Sequence, residues 1–371
     1  MFPRRLQLAK STAARASARL KQLSCFGLGK EVVIPELLRE LHALVPSFSN
    51  TFHFADERGV VNNIYFENTD LVKFWPLYQE KIFERHEREY KGLAFSDGSR
   101  KQFGIHEFRE AVLHDRKTFQ RSDYYNLVAR PVGYDSNFLR VYFRLDGRVL
   151  GGLTLWRAPS ATNWTPEDKR RLGALESFFL HALTVPTPGE TDMVDGDENG
   201  LIIANSVGKP VYFSGEGRRL LFLAASPQTI ASRSAVLPAP VAQICRNLSR
   251  IFSNDASAAD APIHYHVNVW GGFTFRAHWL HQEQPGSGLI GITISRKIPV
   301  PIRLLRSVQK LSLSRRQAEV CVWMANGASN QMVSERLGIS RHTANEHARW
   351  IYNKLDVHNR AELVSKLLSA S

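Results

Sequence analysis

The sequence predicts a multidomain protein in which two mixed α/β (α+β) domains precede an all-α domain of four short helices. Three observations carry this reading. Runs with period-two alternation, set off by tight-turn dipeptides, recur up to residue 298. A stretch rich in Pro, Gly and acidic residues, 186–200, interrupts them and is expected to be a linker. Residues 311–371 hold four apolar patterns of helical period, each with its own start signal. A chain of 371 residues has room for two or three separate cores.

Residues 1–22 carry Arg4, Arg5, Lys10, Arg15, Arg19 and Lys21 and no acidic residue. Organelle transit peptides share that composition. Leu6, Leu20 and Leu23 supply packing positions, and a basic N-terminal arm or lead-in helix is expected.

Residues 23–185 read as the first α/β domain. IPELLRELHALV, residues 34–45, places Leu37, Leu38, Leu41 and Leu44 at helical spacing. TFHFAD (51–56) and VVNNIYFE (60–67) flank the turn Asp56-Glu57-Arg58-Gly59. FLRVYFRL and RVLGGLTLWR flank Asp146-Gly147, a dipeptide suited to a two-residue hairpin turn. Thr165 and Asp168 form a capping box with Pro166 at the first helical position, and one helix with Leu172, Leu175, Phe179 and Leu183 as its buried stripe should follow. Phe74, Trp75, Tyr78, Tyr90, Phe95, Phe103, Tyr124 and Tyr125 are candidate liners of a ligand pocket, with ordinary core packing as the alternative.

Residues 201–298 read as strand, turn, strand, helix and then three strands, the last from HYHVNVWGGFTFRAHWL and GLIGITISRKI. Residues 299–310 form a connector with Leu304, Leu305 and Val308, continued by Leu311, as a helical stripe. Two features imitate metal sites. Asp195-Gly196-Asp197-Glu198-Asn199-Gly200 opens like a calcium loop, but its twelfth position is Ser206 rather than Glu. His264, His266, His278 and His281 lack a carboxylate or cysteine at ligand spacing. No metal or cofactor is expected. The sequence holds no glycine-rich phosphate loop, nucleophile elbow or receiver-type acidic cluster, so no enzymatic activity is expected.

In the last domain, Ser314 with Gln317 opens a helix that Gly327 stops. Ser329 caps a second, with Met332, Val333 and Leu337 as its apolar residues, and Gly338 ends it. Ser340 caps a third, with Ala344, Ala348, Ile351 and Leu355 inward. Asn359 with Glu362 starts a fourth. The short link Leu337-Gly338-Ile339-Ser340 between the second and third helices makes a helix-turn-helix, whose second helix fits a DNA major groove.

On that helix Arg341, His342, Asn345, Glu346 and Arg349 lie outward. Arg349 suits guanine O6 and N7, Asn345 suits adenine, and Glu346 can accept from cytosine N4. Ser340 and Thr343, at a helix N-terminus, suit phosphate oxygens, and Lys354 a backbone phosphate. His347 is expected to pack.

The pattern Leu313, Ser314, Arg316, Glu319, Val320, Ala325, Gly327, Ser329, Asn330, Leu337, Ile339, Ser340, Thr343, His347, Ile351, Lys354, Leu355, Val357 and Arg360 resembles the LuxR-type (FixJ/NarL-like) DNA-binding domain. Gln317, Gln331-Met332-Val333-Ser334 and Ala344-Asn345 depart from the family's usual residues. The last departure removes a cation that the family aims at DNA, so no operator sequence carries over. The layout of residues 23–185, ending GGLTLWR…WTPED, resembles a GAF-like sensor domain, and residues 201–298 resemble a PAS-like domain.

These resemblances imply a one-component, sequence-specific transcription regulator, cytoplasmic, bound to double-stranded DNA as a homodimer, with a small-molecule ligand of the sensor region. The family is mostly bacterial, which argues against organelle import. The fourth helix, with Val364, Leu367 and Leu368, is the expected dimer face. The alternative is a small-molecule-binding or partner-docking sensor whose C-terminal head serves assembly. A net charge of +13 fits an anionic partner. No stretch approaches the roughly 20 apolar residues of a membrane helix. Cys25, Cys245 and Cys321 lie far apart and read as separate reduced thiols.

Overall fold

Among the described residues of the front 300 positions, antiparallel pairing makes two five-stranded sheets. The computed structural model describes residues 2–59, 61–78, 82, 104–185, 192–225, 237–252, 262–280 and 288–369, without the side chains of 2–11, 75 and 76. Two helices come first, α1 (Phe2–Ser24) and α2 (Lys30–Leu41). The first sheet contains β1 (Ser49–Ala55), β2 (Val61–Phe66), β3 (Ile105–Glu107), β4 (Phe138–Leu145) and β5 (Arg148–Trp156), in the order β2-β1-β5-β4-β3. Asp146 and Gly147 take φ of 50° and 81°, the left-handed pair that a tight hairpin between β4 and β5 requires.

The helix expected from Thr165 onward is two helices, α4 (Pro166–Gly173) and α5 (Glu176–Thr184), after a short α3 (Leu71–Leu77). Thr165 and Asp168 cap α4 reciprocally. The break falls where the Leu175 amide bonds Leu172 rather than continuing the helical ladder, and Leu172, Leu175, Phe179 and Leu183 are all still buried. Phe179 stacks on Phe143 at 4.9 Å and on Phe52 at 6.4 Å, which fixes α5 against the sheet.

The expected aromatic pocket is not seen among the described residues. Phe74, Tyr78, Tyr124 and Tyr125 pack with Phe108 and Phe119 into a second apolar cluster, with Tyr78 5.9 Å from Tyr124. Tyr90, Phe95, Phe103 and the side chain of Trp75 lie outside the described residues.

The second sheet contains β6 (Met193–Asn205), β7 (Pro210–Phe213), β8 (Ile263–Asn268), β9 (Gly271–Leu280) and β10 (Leu289–Pro299), in the order β7-β6-β10-β9-β8. Helices α6 (Gly215–Ala224) and α7 (Ala239–Phe252) pack against it. Residues 193–200, read as linker, are therefore strand, paired with β10 from Met193↔Pro299 to Gly200↔Ile294. Their alternation is real but is carried by Glu198 and Gly200 facing inward and by Asp195, Asp197 and Asn199 facing out, so apolar periodicity misses it. The same extended backbone replaces the imitation calcium loop.

Two glycines let β6 and α6 touch. A Cβ at Gly200 would stand 2.3 Å from the Gly217 Cα, and one at Gly217 would stand 2.4 Å from the Leu201 carbonyl. Aromatic contacts then join the first sheet to the second sheet's turn and helix: Trp270, between β8 and β9, meets Phe54 at 5.5 Å and Tyr65 at 6.0 Å, and Phe222 of α6 meets Phe66 at 6.0 Å. The connector is α8 (Val300–Gln309), with Ile302, Leu304, Leu305 and Val308 buried. Among the described residues no helix is long and apolar enough to cross a membrane.

Candidate nucleic-acid interface

The C-terminal segment folds as α9 (Arg315–Ala325), α10 (Asn330–Leu337), α11 (Arg341–Leu355) and α12 (Arg360–Ser369). Local chemistry sets each boundary. Ser314 accepts from the Gln317 amide, and Gln317 returns a bond to the Ser314 amide at 2.9 Å. Ser329 caps α10 through the Met332 amide, and Ser340 caps α11 through the Thr343 amide. Gly338, at φ 61°, closes α10 in the left-handed conformation and starts the tight turn into α11. Before α12, Asn359 accepts from the Glu362 amide, but Glu362 reaches past it to the His358 amide.

Val333, Ala344, Ala348, Ile351 and Leu355 are buried and lock α10 against α11. Met332, expected to be apolar packing, is 42% exposed. Arg316 ties α9 to the end of α10, donating to the Leu337 carbonyl at 3.1 Å and pairing with Glu319 at 2.7 Å. Arg360 holds the Gly327 and Ala328 carbonyls. Both guanidiniums hold internal structure.

The open face of α11 carries Arg341, His342, Glu346 and Arg349, all exposed, while Thr343 and His347 are half-buried. Arg349 and Glu346 share a bond of 3.2 Å whose side chains are 78% and 53% exposed. A pair that exposed contributes little and separates readily for a better partner. Asn345 is half-buried, and its side-chain oxygen accepts from the Asn330 amide at 2.7 Å, which occupies one of that oxygen's two acceptor positions. The Ser340 hydroxyl is exposed but divided between Thr343 and the cap. Lys354 is exposed, bonds the Ser312 carbonyl and lies 4.7 Å over the Trp350 ring. Trp350, 42% exposed, is a member of this face that charge reasoning passed over.

Behind the head lies an ionic junction that the sequence does not reveal. The Glu198 carboxylate in β6 receives Arg39 at 2.5 Å, Arg296 at 3.0 Å, and Arg219 and Arg306 at 3.2 Å each. Arg306 also holds Glu36 at 2.6 Å. Burial alone would raise the Glu198 pKa, but the four guanidiniums outweigh it and hold the carboxyl well below its ordinary range. One carboxylate thus ties α2, the second sheet, α6 and α8 together. Beside it opens a cleft of about 900 Å³ lined by Arg39, His42, Tyr65, Glu67, Glu198 and Arg219, among others.

Residues 311–367 match the family model of bacterial regulatory proteins, luxR family (GerE). The chain is 41% identical over 66 residues to the probable transcriptional regulatory protein SgaR of Hyphomicrobium methylovorum, a match covering 18% of this chain and 31% of that protein. Among solved structures it is similar to a phage VqmA–DPO complex, at 17% identity and a TM-score of 0.18, covering 47% of this chain and 84% of that one. It is also similar to the sensor region of a sensor histidine kinase, at 11% identity and a TM-score of 0.19, covering 68% and 86%. At such TM-scores neither structural likeness carries an argument. The C-terminal segment, with its helices α9 to α12 and the glycine-closed turn before α11, is a LuxR-family helix-turn-helix domain.

Proposed function

We propose that this chain is a one-component transcription regulator whose α11 reads the major groove of double-stranded DNA. The observation that carries this is the open face of α11: cations and polar groups exposed on a rigid, capped helix inside the family-matched segment. Arg349 is the base reader, with Arg341, His342 and Glu346 beside it. Ser340, Thr343 and Lys354 meet phosphates. Asn345 reads adenine with its amide nitrogen and the acceptor position that Asn330 leaves on its oxygen.

The two front domains, GAF-like and PAS-like in layout, orient the head and do no chemistry of their own. A small-molecule ligand fits the cleft between them better than the aromatic cluster, because the cleft is open and polar and adjoins the Glu198 junction. The protein acts in the cytoplasm as a homodimer on paired half-sites. Leu367 is 1% exposed and serves internal packing, so the half-buried Val364 and Leu368 are the residues of α12 left for that contact. A mobility-shift titration with DNA from upstream of the protein's own coding sequence tests the proposal. A shifted band that weakens steeply with salt is expected, and no band at low salt would overturn it.

A further inference from the structure

Helix α1 has no part in the function proposed above. It is basic throughout: Arg4, Arg5, Lys10, Arg15, Arg19 and Lys21 fall within Phe2–Ser24 with no acidic residue. Its C-terminal half is anchored, with Leu20 and Leu23 buried and Arg19 paired to Glu40 at 2.6 Å. Two contacts of the helix, and a third just past its end, fix its course over the head. Arg15 donates to the Leu313 carbonyl at 3.4 Å, Gln22 donates to the Glu319 carbonyl at 3.0 Å, and the Phe26 ring stands edge-on to Trp323 at 5.9 Å.

Partners advance in the same order along both segments. Thus α1 runs parallel to α9 and reaches its start near Arg15. Residues 2–14 then carry the helix on the order of 20 Å beyond that point, at about 1.5 Å per residue. Lys354 holds the Ser312 carbonyl, the neighbour of the Leu313 carbonyl that Arg15 holds. The overhang therefore leaves the head beside the C-terminal turn of α11, where Lys354 and Trp350 stand exposed.

We infer that this overhanging half of α1 is a second nucleic-acid contact, lying along the phosphate backbone of the duplex that α11 reads. Arg4 and Arg5 occupy the first turns of the helix, at the positive end of its macrodipole. Cations there are unfavourable until an anion arrives, and a phosphate backbone supplies one. The contact adds affinity without sequence preference, through Arg4, Arg5 and Lys10. The inference rests on the DNA-reading proposal and extends its footprint past the helix-turn-helix.

The test is DNA binding by the full chain, followed by fluorescence anisotropy over a salt series. Each cation that meets a phosphate contributes about 0.9 to the slope of log K against log salt. The triple variant Arg4→Gln, Arg5→Gln, Lys10→Gln should flatten that slope by about 2–3 per protomer. Its melting temperature and its preference for cognate over random DNA should stay as they are. A second triple, Arg58→Gln, Lys117→Gln, Arg121→Gln, removes the same charge from exposed sites of the first domain and should keep the slope.

An unchanged slope in the first triple overturns the inference, and so does an equal loss in the second, which would mean net charge alone. Sedimentation with vesicles of phosphatidylserine and phosphatidylcholine in equal parts gives the other outcome. Vesicle binding that the first triple abolishes, with the DNA slope intact, would assign the helix to a membrane surface and overturn it too. If the unaltered chain binds no DNA, the proposed function fails first and this inference falls with it.

Discussion

Arg349 carries the sharpest residue-level claim. Its guanidinium is 78% exposed and bound only loosely to Glu346, so it is free to take a guanine edge. Arg349→Ala should cost about 1–3 kcal/mol on the cognate site and flatten discrimination at one base pair, whereas Lys354→Ala should weaken all sequences alike. Equilibrium titration against single-base variants separates the two outcomes. Equal losses on cognate and random DNA from Arg349→Ala would make Arg349 a phosphate contact.

Glu198 makes a different kind of demand. Glu198→Gln leaves four guanidiniums gathered around a neutral amide and should cost on the order of 3–5 kcal/mol in urea unfolding. Titration gives the sign of the pH dependence. The Glu198 pKa lies well below its ordinary 4.5, so the junction's stabilisation is present above that value and is lost as pH falls below it. His42 behaves oppositely. Its bond with the Glu67 carboxylate, outweighing burial, raises its pKa above 6.5, so that contribution is present below 6.5 and is lost as pH rises through the raised value. Melting temperature should therefore decline on both sides. His42→Gln should abolish the alkaline decline, and a variant that keeps it would contradict the assignment.

At the scale of elements, legibility follows sequence distance. The caps at Ser314, Ser329 and Ser340, the glycine stop at Gly338, the Asp146-Gly147 hairpin and the Thr165–Asp168 box are all local, and the structure shows each of them. Helix α7 carries a signal just as plain, with Val241, Ile244 and Cys245 buried at helical spacing, although the order expected for residues 201–298 omits it. The start of β6 was hidden, because its inward residues are a carboxylate and a glycine. So was the approach of β6 to α6. Gly217→Ala forces a Cβ onto the Leu201 backbone and should destabilise the second domain by about 1–3 kcal/mol. An unchanged denaturation midpoint would show that α6 can move away at little cost.

For the whole molecule, the features that escaped sequence reasoning are those that join distant segments. Glu36, Arg39, Glu198, Arg219, Arg296 and Arg306 meet from five elements, and no spacing rule brings them together. The apolar face of α12 is likewise covered from within, since Leu363 and Leu367 are buried and α8 packs on α12. The same burial limits how the connector can be probed. Leu305 is 1% exposed, so an acidic residue there breaks the core instead of testing communication. Arg306→Met is the better probe, because it severs α8 from Glu36 and Glu198 while keeping the stem. A ligand needs about 1.4 kcal/mol of differential affinity for tenfold regulation, and that difference must cross this joint. In a cellular reporter, Arg306→Met should lose the response to inducing conditions while the purified chain still binds DNA. A response equal to that of the unaltered chain would remove the joint from the signal path.

The central claim is that the open face of α11 reads DNA sequence. Selection of duplexes from a random library by the full chain, with Arg349→Ala in parallel, addresses it most directly. The unaltered chain should enrich paired half-sites about one DNA turn apart, with a guanine that Arg349→Ala no longer selects. A library left random after selection by the unaltered chain would contradict the claim.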